Sequence, residues 1–201
     1  MDQQFWEDLY GEHDQLFSGA PNGVLVTEVT GLPPGQALDV GCGEGGDAIW
    51  LARQGWRVTA IDISRTALRR AAATANTADL ADRVAWTHGD LGTTPLPSRA
   101  FDLVSLQYFP LRRGNRSVLR TLLDAVAPGG TLLFVSHDIT GLEPDPERGF
   151  DPGDFYQPAD AVALLGENWT VLSDETRARN TPPPEGTRHT HDTVLRARRD
   201  R

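Results

Sequence analysis

Long apolar runs are missing from this 201-residue chain. No stretch approaches the roughly 18 to 20 residues that cross a bilayer, and the acidic start Met1-Asp2-Gln3-Gln4-Phe5-Trp6-Glu7 has no basic region leading into an apolar one. Neither a membrane span nor a secretory leader is expected, and a cytoplasmic location is. Cysteine is nearly absent, and the single Cys42 excludes an internal disulfide, in keeping with a reducing compartment. Positive charge is outweighed, since 19 Lys and Arg face 28 Asp and Glu for a formal net charge of -9. That balance argues against general nucleic-acid affinity, which rests on accumulated cations meeting phosphates. The locally basic end Arg196-Ala197-Arg198-Arg199-Asp200-Arg201 reads as a solvated tail. Internal repeats and domain boundaries are also lacking. The 39% apolar content suits a single domain over residues 1–201 with a sizeable core and a small soluble partner, the chain acting as monomer or homodimer.

Helical and strand-like segments alternate along the chain, as in a mostly parallel sheet covered on both faces. Phe5, Trp6 and Leu9 predict a short amphipathic helix over 3–10, and Pro21-Asn22-Gly23 opens a second helix that Gly31 and Pro33-Pro34 stop. Together these make residues 1–34 a helical cap. Strands are expected at 36–40, 57–61, 84–87, 101–107 and 131–136, with helices over 44–54, after Ser64 as a cap, and over 117–126. Pro128-Gly129-Gly130 reads as the turn that ends the last of these helices. Residues 138–158, dense in Pro, Gly and Asp, form an excursion longer than an ordinary connection, of the kind that carries binding function. A helix over 159–165, a strand over 170–175, a link at Pro182-Pro183-Pro184 and a strand over 191–197 complete the chain. No helix fits between the last two strands, so they are expected to be antiparallel neighbours.

The strongest local signal is Ala37-Leu38-Asp39-Val40-Gly41-Cys42-Gly43-Glu44-Gly45-Gly46, with Asp62 closing the next apolar run. Gly41, Gly43 and Gly46 have the spacing at which backbone approaches a nucleotide closely, and an acid about 20 residues onward can accept from ribose hydroxyls. Taken alone, the motif suggests a dinucleotide. Asp39 inside the first strand and Asp90 closing the third have no place in that scheme. Cys42 lacks a surrounding thiol-activating pattern and reads as a small residue filling the turn. His189 and His191 lack a third ligand at convincing spacing, so no metal is expected and surface or strand-packing roles are.

Five stretches in order, Leu38-Asp39-Val40-Gly41-Cys42-Gly43-Glu44-Gly45, Ile61-Asp62-Ile63-Ser64, Gly89-Asp90-Leu91, Phe101-Asp102-Leu103-Val104 and Ala127-Pro128-Gly129-Gly130-Thr131-Leu132, resemble the motifs of class I S-adenosylmethionine-dependent methyltransferases. Phe5-Trp6, Pro21-Asn22 and the compact size resemble, within that family, small bacterial enzymes of the tellurite-resistance and thiopurine types. The resemblance implies a Rossmann-like, doubly wound α/β fold: a mostly parallel seven-stranded sheet with an antiparallel final strand and helices on both faces. It implies S-adenosylmethionine as cofactor, with Gly41, Cys42, Gly43 and Gly45 giving clearance, Asp39 holding the ammonium group and Asp62 the ribose hydroxyls. Asp90 would accept from the adenine amino group, the Leu91 amide donate to the ring, Ile63 pack on its face, and Gln107 sit near the methionine.

Methyl transfer is an in-line displacement that needs acceptor and methyl carbon held close and collinear. A soft thiol or metalloid acceptor needs little more, whereas a hydroxyl or protonated amine needs a base, for which His137, with Asp138 beside it, is the candidate. Trp6, Tyr10, Tyr108 and Arg112 are candidate acceptor-site residues. The expected function is methyl transfer to a small-molecule acceptor (thiol, metalloid or other small nucleophile), with neither nucleic acid nor membrane as partner. Two rivals remain: an NAD(P)-dependent oxidoreductase, for which a Tyr-x-x-x-Lys pair is missing, and a non-catalytic S-adenosylmethionine-binding module.

Overall fold

A computed structural model describes residues 2–147, 149–180 and 189–201; the Pro182-Pro183-Pro184 link lies outside them. The chain forms one seven-stranded sheet from β1 (Gln36–Val40), β2 (Arg57–Asp62), β3 (Val84–His88), β4 (Phe101–Gln107), β5 (Val126–His137), β6 (Trp169–Ala178) and β7 (His191–Arg199), in the order β3-β2-β1-β4-β5-β7-β6. Neighbours pair in parallel from β3 through β5, and β7 runs antiparallel to both β5 and β6, so β7 alone is reversed. The chain steps outward from β1 to β2 and β3, then returns to the other side of β1 as β4. Crevices for ligands in open α/β sheets open at such a reversal, outside the carboxyl ends of the strands.

Helices cover both faces. One face buries Leu119, Leu122 and Phe134, and the other buries Leu25, Leu51, Trp56 and Val58. Helix α5 (Arg116–Ala125) shows how this arises: Val118, Leu119, Leu122 and Leu123 fall on one side and are buried, while Arg116, Arg120 and Asp124 face solvent. Each fully buried aliphatic side chain contributes about 1.5–3 kcal/mol. Before it come α1 (Gln3–Gly11), α2 (Gly23–Val29), α3 (Gly46–Arg53) and α4 (Arg65–Thr77), and after it the short α6 (Pro158–Val162). Ser64 caps α4 by accepting from the Ala67 amide at 3.1 Å, and the alanines on its inner side pack against the sheet.

Three local readings are corrected. Pro128-Gly129-Gly130 does not separate helix from strand, because β5 begins at Val126 opposite Phe101 and resumes at Thr131 opposite Leu103; the glycines form an excursion within the pairing, with Gly129 at φ 82°. Helix α3 starts at Gly46 rather than Glu44, since Gly45 takes a left-handed conformation at φ 85°. The helix expected over 159–165 is α6, which ends at Val162 after opening with Pro158 and with the Asp160 carboxylate accepting from the Gln157 amide at 2.8 Å. Among the described residues, no helix is long and apolar enough to cross a membrane.

Candidate active site

The ends of β1, β2 and β4 open into a cavity of about 1260 Å³. The turn after β1 is held against β2 by the amides of Gly41 and Cys42, both donating to the Ile61 carbonyl. Gly41 has φ 67°, and a Cβ there would lie 2.5 Å from the Phe109 ring; at Gly43, φ 51°, it would lie 2.9 Å from the Tyr10 hydroxyl. Only glycine takes this path without strain and leaves the cavity open. Gly45 turns elsewhere. Its missing side chain makes room for Trp86 and Ala71, and Gly46 lines the cavity in its place.

Three carboxylates crowd beneath this turn. Asp62 is bound at both oxygens, Oδ2 accepting from the Gly43 amide and Oδ1 from the Ser64 amide, each at 2.8 Å. Asp47, on the first turn of α3, accepts from the Asn22 amide at 2.7 Å and from its Nδ2 at 2.8 Å. Asp39 is 2% exposed, and its Oδ2 has no partner. Burial, reinforced by Asp47 and then Asp62, holds the Asp39 carboxyl well above the usual carboxylate range. Burial likewise raises Asp47 and Asp62, against the hydrogen bonds they accept. Cys42 is buried, and burial pushes its thiol upward, which makes it a poor nucleophile. Gln107, at the end of β4, presents a second orphaned atom, Oε1, while its Nε2 donates to Ser105. At the far edge Asp90 Oδ1 accepts from the Gly92 amide at 2.7 Å, and Asp90, Leu91 and Ile63 all line the cavity.

The N-terminal segment is strapped across the mouth. Glu7 accepts from the Arg65 and Thr66 amides at the start of α4. Glu44 accepts from the Leu16 and Phe17 amides and pairs with Arg70, which also donates to the Tyr10 and His13 carbonyls. These bonds hold Trp6, Tyr10 and Phe17 as an aromatic row over the cavity. At the other end stand Tyr108, Arg112, His137, Arg179 and His189. Tyr108 is left-handed at φ 56°, a strained conformation of the kind concentrated at functional sites. Asp138 is not the partner of His137: its Oδ1 accepts from the Thr140 amide, and Arg179 and Asp192 stand beside the imidazole instead. His191 is exposed and bonded to Thr190, so His189 and His191 share no site, and the described residues hold no group of metal ligands. Among the described residues none of 138–158 lines the cavity; that segment reaches it indirectly, through the bridge between Phe155 and Arg112.

Comparison with known proteins bears on this arrangement. A family model described as a methyltransferase domain matches residues 37–130, the span holding the glycine turn, Asp39, Asp62, Asp90 and Gln107. Residues 37–130 are thus similar to a methyltransferase domain. An uncharacterized methyltransferase of Mycobacterium tuberculosis, Rv0089, is 41% identical over 100 residues, covering 49% of this chain and 49% of the relative. The chain thus spans about half the length of the curated relatives it matches. A solved structure concerned with conversion of a disulfide bond into a thioacetal group during echinomycin biosynthesis superposes with a TM-score of 0.74 at 24% identity, covering 98% of this chain and 92% of the other. TehB from Haemophilus influenzae superposes with a TM-score of 0.69 at 17% identity, covering 97% and 67%. These two similarities establish the Rossmann-like fold.

The cofactor that similarity to this family implies is S-adenosylmethionine, and the residues present fit it. Buried acceptors without donors, Asp39 Oδ2 and Gln107 Oε1, suit the ammonium group this cofactor carries, and two glycines hold open space that a Cβ would fill. The sequence reading missed Asp47, Glu44, Arg179 and Asp192. Their partners lie 13 to 28 residues away in the chain, or further, and no local pattern announces them.

Proposed function

We propose that the protein transfers a methyl group from S-adenosylmethionine to a small-molecule acceptor by in-line displacement. The observation carrying this reading is that two of the orphaned buried atoms among the described residues, Asp39 Oδ2 and Gln107 Oε1, stand at the ends of the two strands that flank the reversal in strand order. An unmade buried hydrogen bond costs about 1–3 kcal/mol, so such atoms persist where a ligand completes them. The bound cofactor supplies an electrophilic methyl group on a sulfonium.

Asp39 is suited to the cationic ammonium, which would draw its raised carboxyl back toward the charged form. Asp62 has its plane fixed by two backbone amides, and its remaining lone pairs suit the ribose hydroxyls. Asp90, Leu91 and Ile63, together at the cavity edge, suit the adenine. Gly41, Cys42 and Gly43 keep side-chain bulk away from the methionine portion.

The acceptor reading rests on shape. At about 1260 Å³ the cavity exceeds the roughly 300–1,000 Å³ typical of a single-ligand site, leaving room for a second molecule beside the cofactor. The row of Trp6, Tyr10 and Phe17 over its mouth favours a small acceptor that enters and is enclosed, with Tyr108 and Arg112 along its wall. A soft nucleophile such as a thiol or metalloid, as in tellurite-resistance and thiopurine-type enzymes, suits such an enclosure, because it needs little beyond close, collinear placement against the methyl carbon. The test is to incubate protein and methyl donor with thiols, selenite, tellurite, phenols and amines while following the demethylated cofactor. Turnover of at least one small nucleophile is expected. Binding of the demethylated cofactor without turnover across the panel would contradict the reading and leave a non-catalytic binding module.

A further inference from the structure

The acceptor end of the cavity holds a second cluster of titratable groups, assembled from the ends of β4, β5, β6 and β7. Asp192, 1% exposed, accepts from the Tyr108 hydroxyl through Oδ2 at 2.9 Å and from Arg179 Nη1 through Oδ1 at 3.2 Å. The same Arg179 nitrogen lies 3.0 Å from His137 Nδ1. A guanidinium can only donate, so Nδ1 is the lone-pair side of that ring and the ring hydrogen sits on Nε2. Asp192 Oδ1, at 3.7 Å, is too far from Nδ1 to reverse this assignment. His137 therefore offers a hydrogen to the cavity, and its single lone pair is occupied. Tyr108 is committed too, because its hydroxyl donates to Asp192, and burial, followed by the Asp192 charge, raises its ionisation.

His189 differs. Its ring stacks on His137 at a centroid distance of 4.2 Å and an interplanar angle of 9°, and it lines the same cavity. Among the described residues neither of its nitrogens has a hydrogen-bond partner. Burial first, then His137 and Arg179, pushes its pKa below the ordinary imidazole value, with Asp192 opposing. It is neutral near pH 7 and keeps an uncommitted lone pair.

We propose that His189, rather than His137, is the general base of the methyl transfer, and that the acceptor is a thiol or phenol. This rests on the S-adenosylmethionine reading of the same cavity. The acceptor's lone pair forms the new bond to the methyl carbon as the carbon–sulfur bond breaks with its electrons onto sulfur, discharging the sulfonium. The acceptor's proton passes to the free ring nitrogen of His189. Thiols and phenols ionise near pH 8.5 to 10, within reach of an imidazole, whereas an aliphatic alcohol is not. A protonated amine finds no uncommitted carboxylate at this end, since both Asp192 oxygens are taken and Arg112 and Arg179 repel it. Asp192 and Arg179 act as positioning residues that fix the His137 tautomer.

Three measurements test this. In ligand-free protein, spectra of ¹⁵N-labelled histidine should show His137 with its hydrogen on Nε2, and diethylpyrocarbonate should modify His189 ahead of His137, read by peptide mass spectrometry. Calorimetric titration with S-adenosylhomocysteine should give the same affinity for wild type and His189→Gln, which checks the fold and the donor site separately. With phenylmethanethiol and phenol as probes, both protonated near pH 7, His189→Gln should lower turnover about 10²–10⁴-fold and abolish the acid limb of the kcat/KM profile, while His137→Gln keeps that limb. The proposal is overturned if His137 carries its hydrogen on Nδ1 or reacts first, or if His137→Gln removes the acid limb and His189→Gln does not. It also falls if wild type binds S-adenosylhomocysteine yet turns over neither probe. Failure of wild type to bind S-adenosylhomocysteine would overturn the donor reading itself.

Discussion

Replacing Asp39 with asparagine should stabilise the ligand-free protein and weaken its hold on the cofactor at the same time. The Asp39 carboxyl is buried beside Asp47 and Asp62, accepts from the Ala48 amide, and leaves Oδ2 without a donor. Asparagine keeps the shape and removes the charge. A buried acceptor left unsatisfied costs about 1–3 kcal/mol, and more when it is charged. Relief of part of it, about 1–2 kcal/mol, raises Tm by about 2–8 °C in a domain of this size. The pH dependence has a definite sign. A carboxyl whose folded pKa is raised contributes stability below its unfolded pKa and loses it as pH rises through the folded value, so the variant's advantage should widen with pH and vanish in acid. Binding should respond in the opposite sense. Loss of a charge-assisted hydrogen bond, about 1.5–3 kcal/mol, weakens S-adenosylhomocysteine about 10- to 150-fold. Wild-type affinity should rise with pH, up to about tenfold per unit below the folded pKa, as the ammonium displaces a proton from Asp39. Scanning calorimetry and titration calorimetry from pH 5.5 to 8.5 measure both effects. Unchanged affinity together with a lowered Tm would show that Asp39 only braces the strand end, and the reasoning would fail.

Asp62→Ala should weaken S-adenosylhomocysteine at least tenfold by calorimetry, because the Gly43 and Ser64 amides lose their acceptor and the ribose its anchor; undiminished affinity would remove Asp62 from the site. Gly41→Ala places a Cβ in a left-handed residue against Phe109 and should cost about 1–3 kcal/mol, read as a lower midpoint in urea. Glu44→Ala should unfasten the N-terminal strap, seen as faster hydrogen exchange at the Leu16 and Phe17 amides with little change in β1. Cys42, with its thiol raised by burial, should react with iodoacetamide at pH 7.5 far more slowly in the folded protein than in urea.

What could be read from the sequence was whatever is local in the chain. Strands β1 and β4 lie central in the sheet and appear as near-continuous apolar runs; Ser64 announces the start of α4; the missing crossover after β6 requires an antiparallel partner. Pro128-Gly129-Gly130 was misread because Pro and Gly punctuate local conformation, whereas the pairing of Val126 with Phe101 is a property of the sheet. The glycine turn and the acids at strand ends were legible for the same local reason. The acceptor end was not. Asp192 reaches Tyr108 and Arg179 only because the β6–β7 register sets Arg177 opposite Asp192 and Ala178 opposite His191. His189 looks like a surface histidine until that pairing carries it onto His137.

The central claim is that the cavity at the ends of β1 and β4 is an S-adenosylmethionine site. Titration of S-adenosylhomocysteine and, separately, NADH into the purified protein at pH 7.5 tests it directly. The account predicts one saturable site for S-adenosylhomocysteine, weakened at least tenfold in Asp39→Asn, and no heat of binding for NADH. Saturable binding of NADH with none for S-adenosylhomocysteine would contradict it.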